Sequence, residues 1–118
     1  MIRAILILSL LYSVNLFSSG YLTNLGQGVT VQKVHAHGSG GITLWVDATK
    51  LKNPDQCDRM DKVHIRSSLN GYNAMVTAVM TAYSTNKKIG MWSTGCSVIP
   101  FWGGTKTAPI LRDVWITD

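Results

Sequence analysis

The spacing of apolar residues changes period twice along this chain, and those changes constrain the fold more than any other feature. Within residues 27–66 hydrophobic side chains alternate with polar ones, the period of half-buried strands. Then Tyr72, Met75, Val76, Val79, Met80 and Tyr83 follow the i, i+3, i+4, i+7 spacing of an amphipathic helix over residues 70–85. From Lys88 onward alternation returns. Strands are therefore predicted at residues 27–38, 41–47, 62–66, 88–94 and 109–117, with one helix between the third and fourth. Residues 95–108 form a long loop between the last two strands. Ser68 or Asn70 can cap the helix start, and Asn86 can end it in a left-handed conformation.

Register follows from the same alternation. Ile42, Leu44 and Val46 share one face of the second strand, and Thr43 and Trp45 the other. A three-residue turn, Ser39-Gly40-Gly41, pairs Ala36 with Leu44 and His35 with Trp45. Val29 and Val31 are out of phase with Val34 and Ala36, which requires a bulge or bend near Lys33.

The chain has 118 residues and opens with Arg3, a mainly apolar run from Ala4 to Phe17, and small residues Ser18, Ser19 and Gly20. This is the pattern of a secretory signal over residues 1–20, cut before Tyr21, leaving a single domain at residues 21–118. The apolar run is shorter than the ~20 residues of a membrane span and is interrupted by Ser9, Ser13 and Asn15, so no membrane span is expected after cleavage. Localisation is expected to be secreted or periplasmic. A domain of this size has a limited core, and Cys57 and Cys96, the two cysteines present, are expected to form a disulfide in such a compartment.

Net charge is +5, or +4 without Arg3, from ten Lys/Arg against six aspartates; glutamate is absent. The basic residues are scattered and form no run suited to a phosphate backbone, so no nucleic-acid partner is expected. Asp55, Asp58 and Asp61 cluster in one connection and read as a turn, and no nucleophile elbow or HExxH motif is present. His35 and His37 point the same way from one strand, but His64 lies two strands away, about 9.6 Å, too far to share an ion directly. No catalytic residue, metal or cofactor is assigned.

Five strands with one helix in this order match a small OB-fold-like barrel, β-β-β-α-β-β. Within it, "NGYNAMVTAVMTAYSTNKKIGMWSTGCS" resembles the helix, following strand and cysteine of the subtilase-cytotoxin-like and pertussis-like B subunits of A-B type bacterial toxins. The resemblance covers roughly residues 57–97. "NPDQC" and "WSTGC" are also similar to parts of a family of small exported bacterial proteins. The toxin resemblance implies a cell-surface glycan as ligand, assembly as a homo-oligomer, and a catalytic A subunit as partner. The alternative is a periplasmic or extracellular protein that binds or inhibits another protein.

Alternation assigns the candidate ligand residues. Trp45, Trp92 and Trp115 fall opposite the aliphatic side chains of their own strands, so three indoles should lie outside the barrel. They are then an oligomer interface, a surface covered by another part of the chain, or an open platform for sugars. Phe101 and Trp102, beside Gly103 and Gly104, either plug one end of the barrel or contact ligand together with Lys106.

Overall fold

The computed structural model describes residues 20–24, 27–99 and 104–117. Over these residues the chain is mainly β with one helix. Its elements are β1 (Gly20–Tyr21), β2 (Val29–Thr30), β3 (Lys33–Ala36), β4 (Ile42–Trp45), a single 3-10 turn (Ala48–Lys50), β5 (Lys62–Ile65), α1 (Tyr72–Ser84), β6 (Lys88–Val98) and β7 (Thr107–Thr117). They form one seven-stranded sheet in the order β1-β6-β7-β5-β4-β3, with β2 also paired to β6. Seven strands form where five were expected, in a sheet that is open in this order. The expected helix position holds.

Two strands appear beyond the expected five, each for a local reason. The first expected strand divides at Val31–Gln32. Val29 and Thr30 pair with Ile89 and Lys88 of β6, whereas Lys33 to Ala36 pair with β4. The break is where the alternation loses phase, two residues before Lys33. β1 is only two residues long, too short to display a period. It is still firmly seated: Tyr21 lies opposite Trp92, the next residue, Leu22, is fully buried, and the Leu22 N–H donates to the Met91 carbonyl at 2.9 Å.

The β3–β4 turn has the expected length but sits one residue earlier. The His37 N–H donates to the Gly41 carbonyl at 3.0 Å, so Gly38, Ser39 and Gly40 form the loop. Val34 therefore faces Leu44 and Lys33 faces Trp45, a two-residue shift that keeps every side chain on its expected face. Glycine chemistry selects this turn, because Gly40 and Gly41 both adopt positive φ, +107° and +89°.

All strand pairs are antiparallel except β5 and β7, where His64 lies opposite Ile110. Leu44, Val63, Ile65, Ile89, Met91 and Leu111 are fully buried and join Val79 and Ala82 of α1 in one core. α1 packs on β6 and β7. Asn86 ends it at φ +57°, as expected. Its start differs from expectation: Gly71 is the N-cap, without a side-chain cap hydrogen bond. Gly71 has φ −86°, and a Cβ there would meet nothing within 4 Å. Gly71→Ala should therefore change stability by less than about 0.5 kcal/mol, because restricting the unfolded chain is offset by the poor fit of alanine at an N-cap, and thermal unfolding monitored by circular dichroism would show a nearly unchanged Tm.

The expected loop at residues 95–108 is shortened at both ends, because β6 runs four residues beyond Thr94 and β7 begins two before Pro109. Register shifts after Trp92 and Ser93, together with φ +87° at Gly95, break the alternation there and hide the continuing strand. Cys57 and Cys96 are bonded, with Cα atoms 5.5 Å apart, fastening the β4–β5 connection to this irregular part of β6.

Candidate functional site

On the outer surface of β3, β4 and β5, two cross-strand rows lie side by side. Lys33, Trp45 and Lys62 form the first row, and His35, Thr43 and His64 the second. The Trp45 indole is half-buried between two ammonium groups, with Lys33 Nζ 5.1 Å and Lys62 Nζ 5.2 Å from its ring centre. His35 stacks on the same indole at 5.8 Å and 11°. Lys62 is itself buried, which is tolerable because Asp61 sits 2.7 Å away. Burial alone would raise the Asp61 pKa, but the hydrogen bond and charge of Lys62, with Arg59 at 3.6 Å, outweigh it and hold the carboxyl below its usual range.

The histidines are closer together than strand spacing indicated. His37 stacks on His35 at 4.3 Å and its ring centre lies 5.7 Å from that of His64. The buried Thr43 hydroxyl sits between them, 2.7 Å from His37 Nε2 and 3.0 Å from His64 Nδ1. His64, expected on an exposed sheet surface, is buried. Burial, followed by the charges of His37 and Arg66, lowers its pKa from 6.5 to about 4. Burial and then His35 lower that of His37. Both rings are neutral at pH 7, and Lys33, Lys62 and Arg66 bring positive charge to this face. A histidine held neutral by the fold stabilises the fold fully above pH 6.5, and that contribution is lost as pH falls toward 4. Among the described residues, no group of three His, Cys, Asp or Glu side chains is placed to hold a metal ion.

The other two tryptophans form a separate group. Trp92 and Trp115 lie under Tyr21, with ring centres 4.5 and 6.0 Å away in edge-on contact. Arg112 covers Trp92 at 5.2 Å and pairs with Asp113 at 2.8 Å. The Trp115 ring rests on Gly90, its cross-strand neighbour. None of Trp45, Trp92 and Trp115 belongs to the buried apolar core, in keeping with the expected side of the sheet. They do not make one patch, however. Lys62, opposite Trp45, lies two residues before His64 on β5, whereas Trp115 lies five residues beyond Ile110 on the parallel β7, roughly 20 Å further along at 3.3 Å per residue.

Phe101 and Trp102 lie outside the described residues. Lys106 is exposed on the loop that precedes β7. Lys33 and Lys62 were missed as members of the site. They would have been legible from the correct hairpin register, which places one on each side of Trp45. Tyr21 was missed because β1 carries no periodic signal.

Carboxylates elsewhere are committed to holding the chain. Asp55 accepts from Ser93 Oγ and the Gly95 N–H, both at 3.0 Å, and Asp58 accepts from the Thr107 N–H and hydroxyl, also at 3.0 Å. Asp47 accepts from the Thr49 N–H and hydroxyl at 3.0 and 2.7 Å. A polar cleft of about 490 Å³, lined by Gln27, Thr30, Gln32, Asp47, Lys50 and Lys88 among others, contains no aromatic side chain to orient a ligand. Searches of protein-family models, curated proteins and solved structures find no match to this chain.

Proposed function

We propose that this chain is a secreted, non-enzymatic binding module that recognises cell-surface glycans, works as a homo-oligomer in the manner of a toxin B subunit, and is built as an OB-like barrel. Strand pairing supports the barrel. Only Val31 and Gln32 separate a strand paired to β6 from one paired to β4, so the sheet's two sides approach each other through a single bent segment. On that reading β4 and β5 are the second and third barrel strands, whose outer face commonly receives oligosaccharides.

The observation that carries the reading is the row Lys33–Trp45–Lys62 with His35 stacked beside it. It combines an indole, suited to the apolar face of a sugar ring, with hydrogen-bond donors at the ring's margins. The non-enzymatic character is supported by the aspartates, since the carboxylates of Asp47, Asp55, Asp58, Asp61 and Asp113 all hold backbone or side-chain partners. Met80, Tyr83 and Ile116 remain 42, 45 and 42% exposed, and these apolar side chains favour contact between copies.

A second reading, a protein-binding or inhibitory module, is favoured by the Tyr21–Trp92–Trp115 group. The Trp92 Nε1 atom there is buried without a hydrogen-bond acceptor, and Tyr21 is 38% exposed. A glycan array probed with the purified mature chain, alongside its mass in solution, tests the first reading. Trp45→Ala should weaken binding to any glycan found by about tenfold or more, the loss of one aromatic contact, while Trp115→Ala should leave it unchanged. Absence of any glycan signal, or loss on Trp115→Ala alone, would turn the assignment to the second reading.

A further inference from the structure

All three histidines of the chain meet on the proposed binding face: His37 and His64 are joined through one buried hydroxyl, and His35 stacks on His37. The Thr43 hydroxyl has one proton and two ring nitrogens within reach. One imidazole donates to the oxygen, and the other accepts from it. The chain His37–Thr43–His64 is therefore complete while at least one of its two imidazoles is neutral. When both are protonated, all their ring nitrogens are donors and the hydroxyl proton must leave the chain. Thr43 is fully buried, so water does not replace the lost acceptor.

The charges around the cluster oppose protonation as well. His35 and Lys33 face it from β3, and Lys62 and Arg66 flank His64 on β5. Asp61 is the nearby carboxylate, and it is already engaged by Lys62 and Arg59. β7 places the uncharged Ile110 opposite His64, and β4 contributes Thr43 and Trp45, also uncharged. Relaxation is limited, since even a Cβ on Gly41 would come within about 3.0 Å of the His64 ring.

We propose that the three histidines form an acid-operated latch, which clamps the β3–β4 hairpin to β5 at neutral pH and frees it in acid, releasing a ligand held on this face. The release clause rests on the proposed glycan reading; the opening of the hairpin does not. A side chain that titrates at about 4 when closed and about 6.5 when open makes opening more favourable by roughly 30-fold at pH 5.0 relative to pH 7.5.

Hydrogen exchange on the wild-type chain at the two pH values, corrected for intrinsic rates, tests the latch. Protection of the β4 amides that pair with β5, those of Ile42, Leu44 and Val46, relative to Met91 in the core, should fall roughly 30-fold at pH 5.0 and fall much less in His64→Gln. If that variant does not fold, Thr43→Val should loosen the hairpin at pH 7.5 already. An unchanged ratio in the wild type, or an equal loss in His64→Gln, would overturn the latch. Any glycan found on the array at pH 7.5 should dissociate from the wild type at pH 5.0, and retention at both values would overturn the release. A wild type that binds no glycan at pH 7.5 would sink the glycan reading, with the exchange ratio still deciding the latch.

Discussion

Replacing Cys57 and Cys96 together with alanine will lower the unfolding free energy by about 4 kcal/mol, the chain-entropy value for a loop closed across 39 residues. That is a large share of the stability of a domain this small. The bond joins two parts with little regular structure. On one side is the β4–β5 connection, held by the Asn53 side chain, which accepts from the Cys57 N–H at 2.8 Å and donates to the Cys57 carbonyl at 2.9 Å. On the other is the shifted register of β6, where Gly95 needs positive φ. Asp55 spans the two through Ser93 and Gly95. Urea unfolding of the wild type and the double variant measures the effect. A loss below about 1 kcal/mol would mean that these hydrogen bonds alone keep the unfolded chain as restricted as the sulfur bridge does.

The second large effect is expected at Gly90. A Cβ built there falls within the Trp115 ring, against Cε2 and Nε1. The backbone itself permits alanine, since Gly90 is not among the positive-φ glycines. The collision is therefore purely one of packing. Gly90→Ala should cost about 3 kcal/mol, near the top of the range for overpacking, because the indole must swing out and lose its contact with Tyr21. A double-mutant cycle isolates the cause. In a Trp115→Ala background the same alanine should cost less than about 1 kcal/mol, and equal costs in both backgrounds would place the strain elsewhere.

The face of the sheet on which each side chain lies was legible from alternation alone. The helix was legible from its own period, its left-handed end from Asn86, and the disulfide from the cysteine count. Distances along the sheet were less legible. Alternation specifies a face modulo two residues, so a turn at Gly38–Gly40 gives the same faces as one at Ser39–Gly41. Only the positions change, and with them the neighbours of Trp45. Lys33 and Lys62 therefore went unseen beside that indole, while His35, expected opposite it, lies opposite Thr43 and reaches the indole diagonally. The irregular part of β6 misled in the opposite direction. Its register shifts made four paired residues read as loop, because the alternation a strand is recognised by is what a bulge removes. The histidine cluster escaped because a flat-sheet estimate of strand spacing ignores side-chain reach. His37 leans across to the Thr43 hydroxyl and closes most of the gap to His64.

The parallel pairing of β5 with β7 also has a consequence for how the chain assembles. Bringing His64 beside Ile110 joins residues 46 apart in sequence, with α1 and β6 strung between them. No short hairpin can nucleate that contact, and the loop entropy of closing it must be met before the pairing rewards it. Stopped-flow refolding of the oxidised domain should accordingly fall in the millisecond-to-second range of non-locally paired β proteins, with the β3–β4–β5 meander forming ahead of its union with β7.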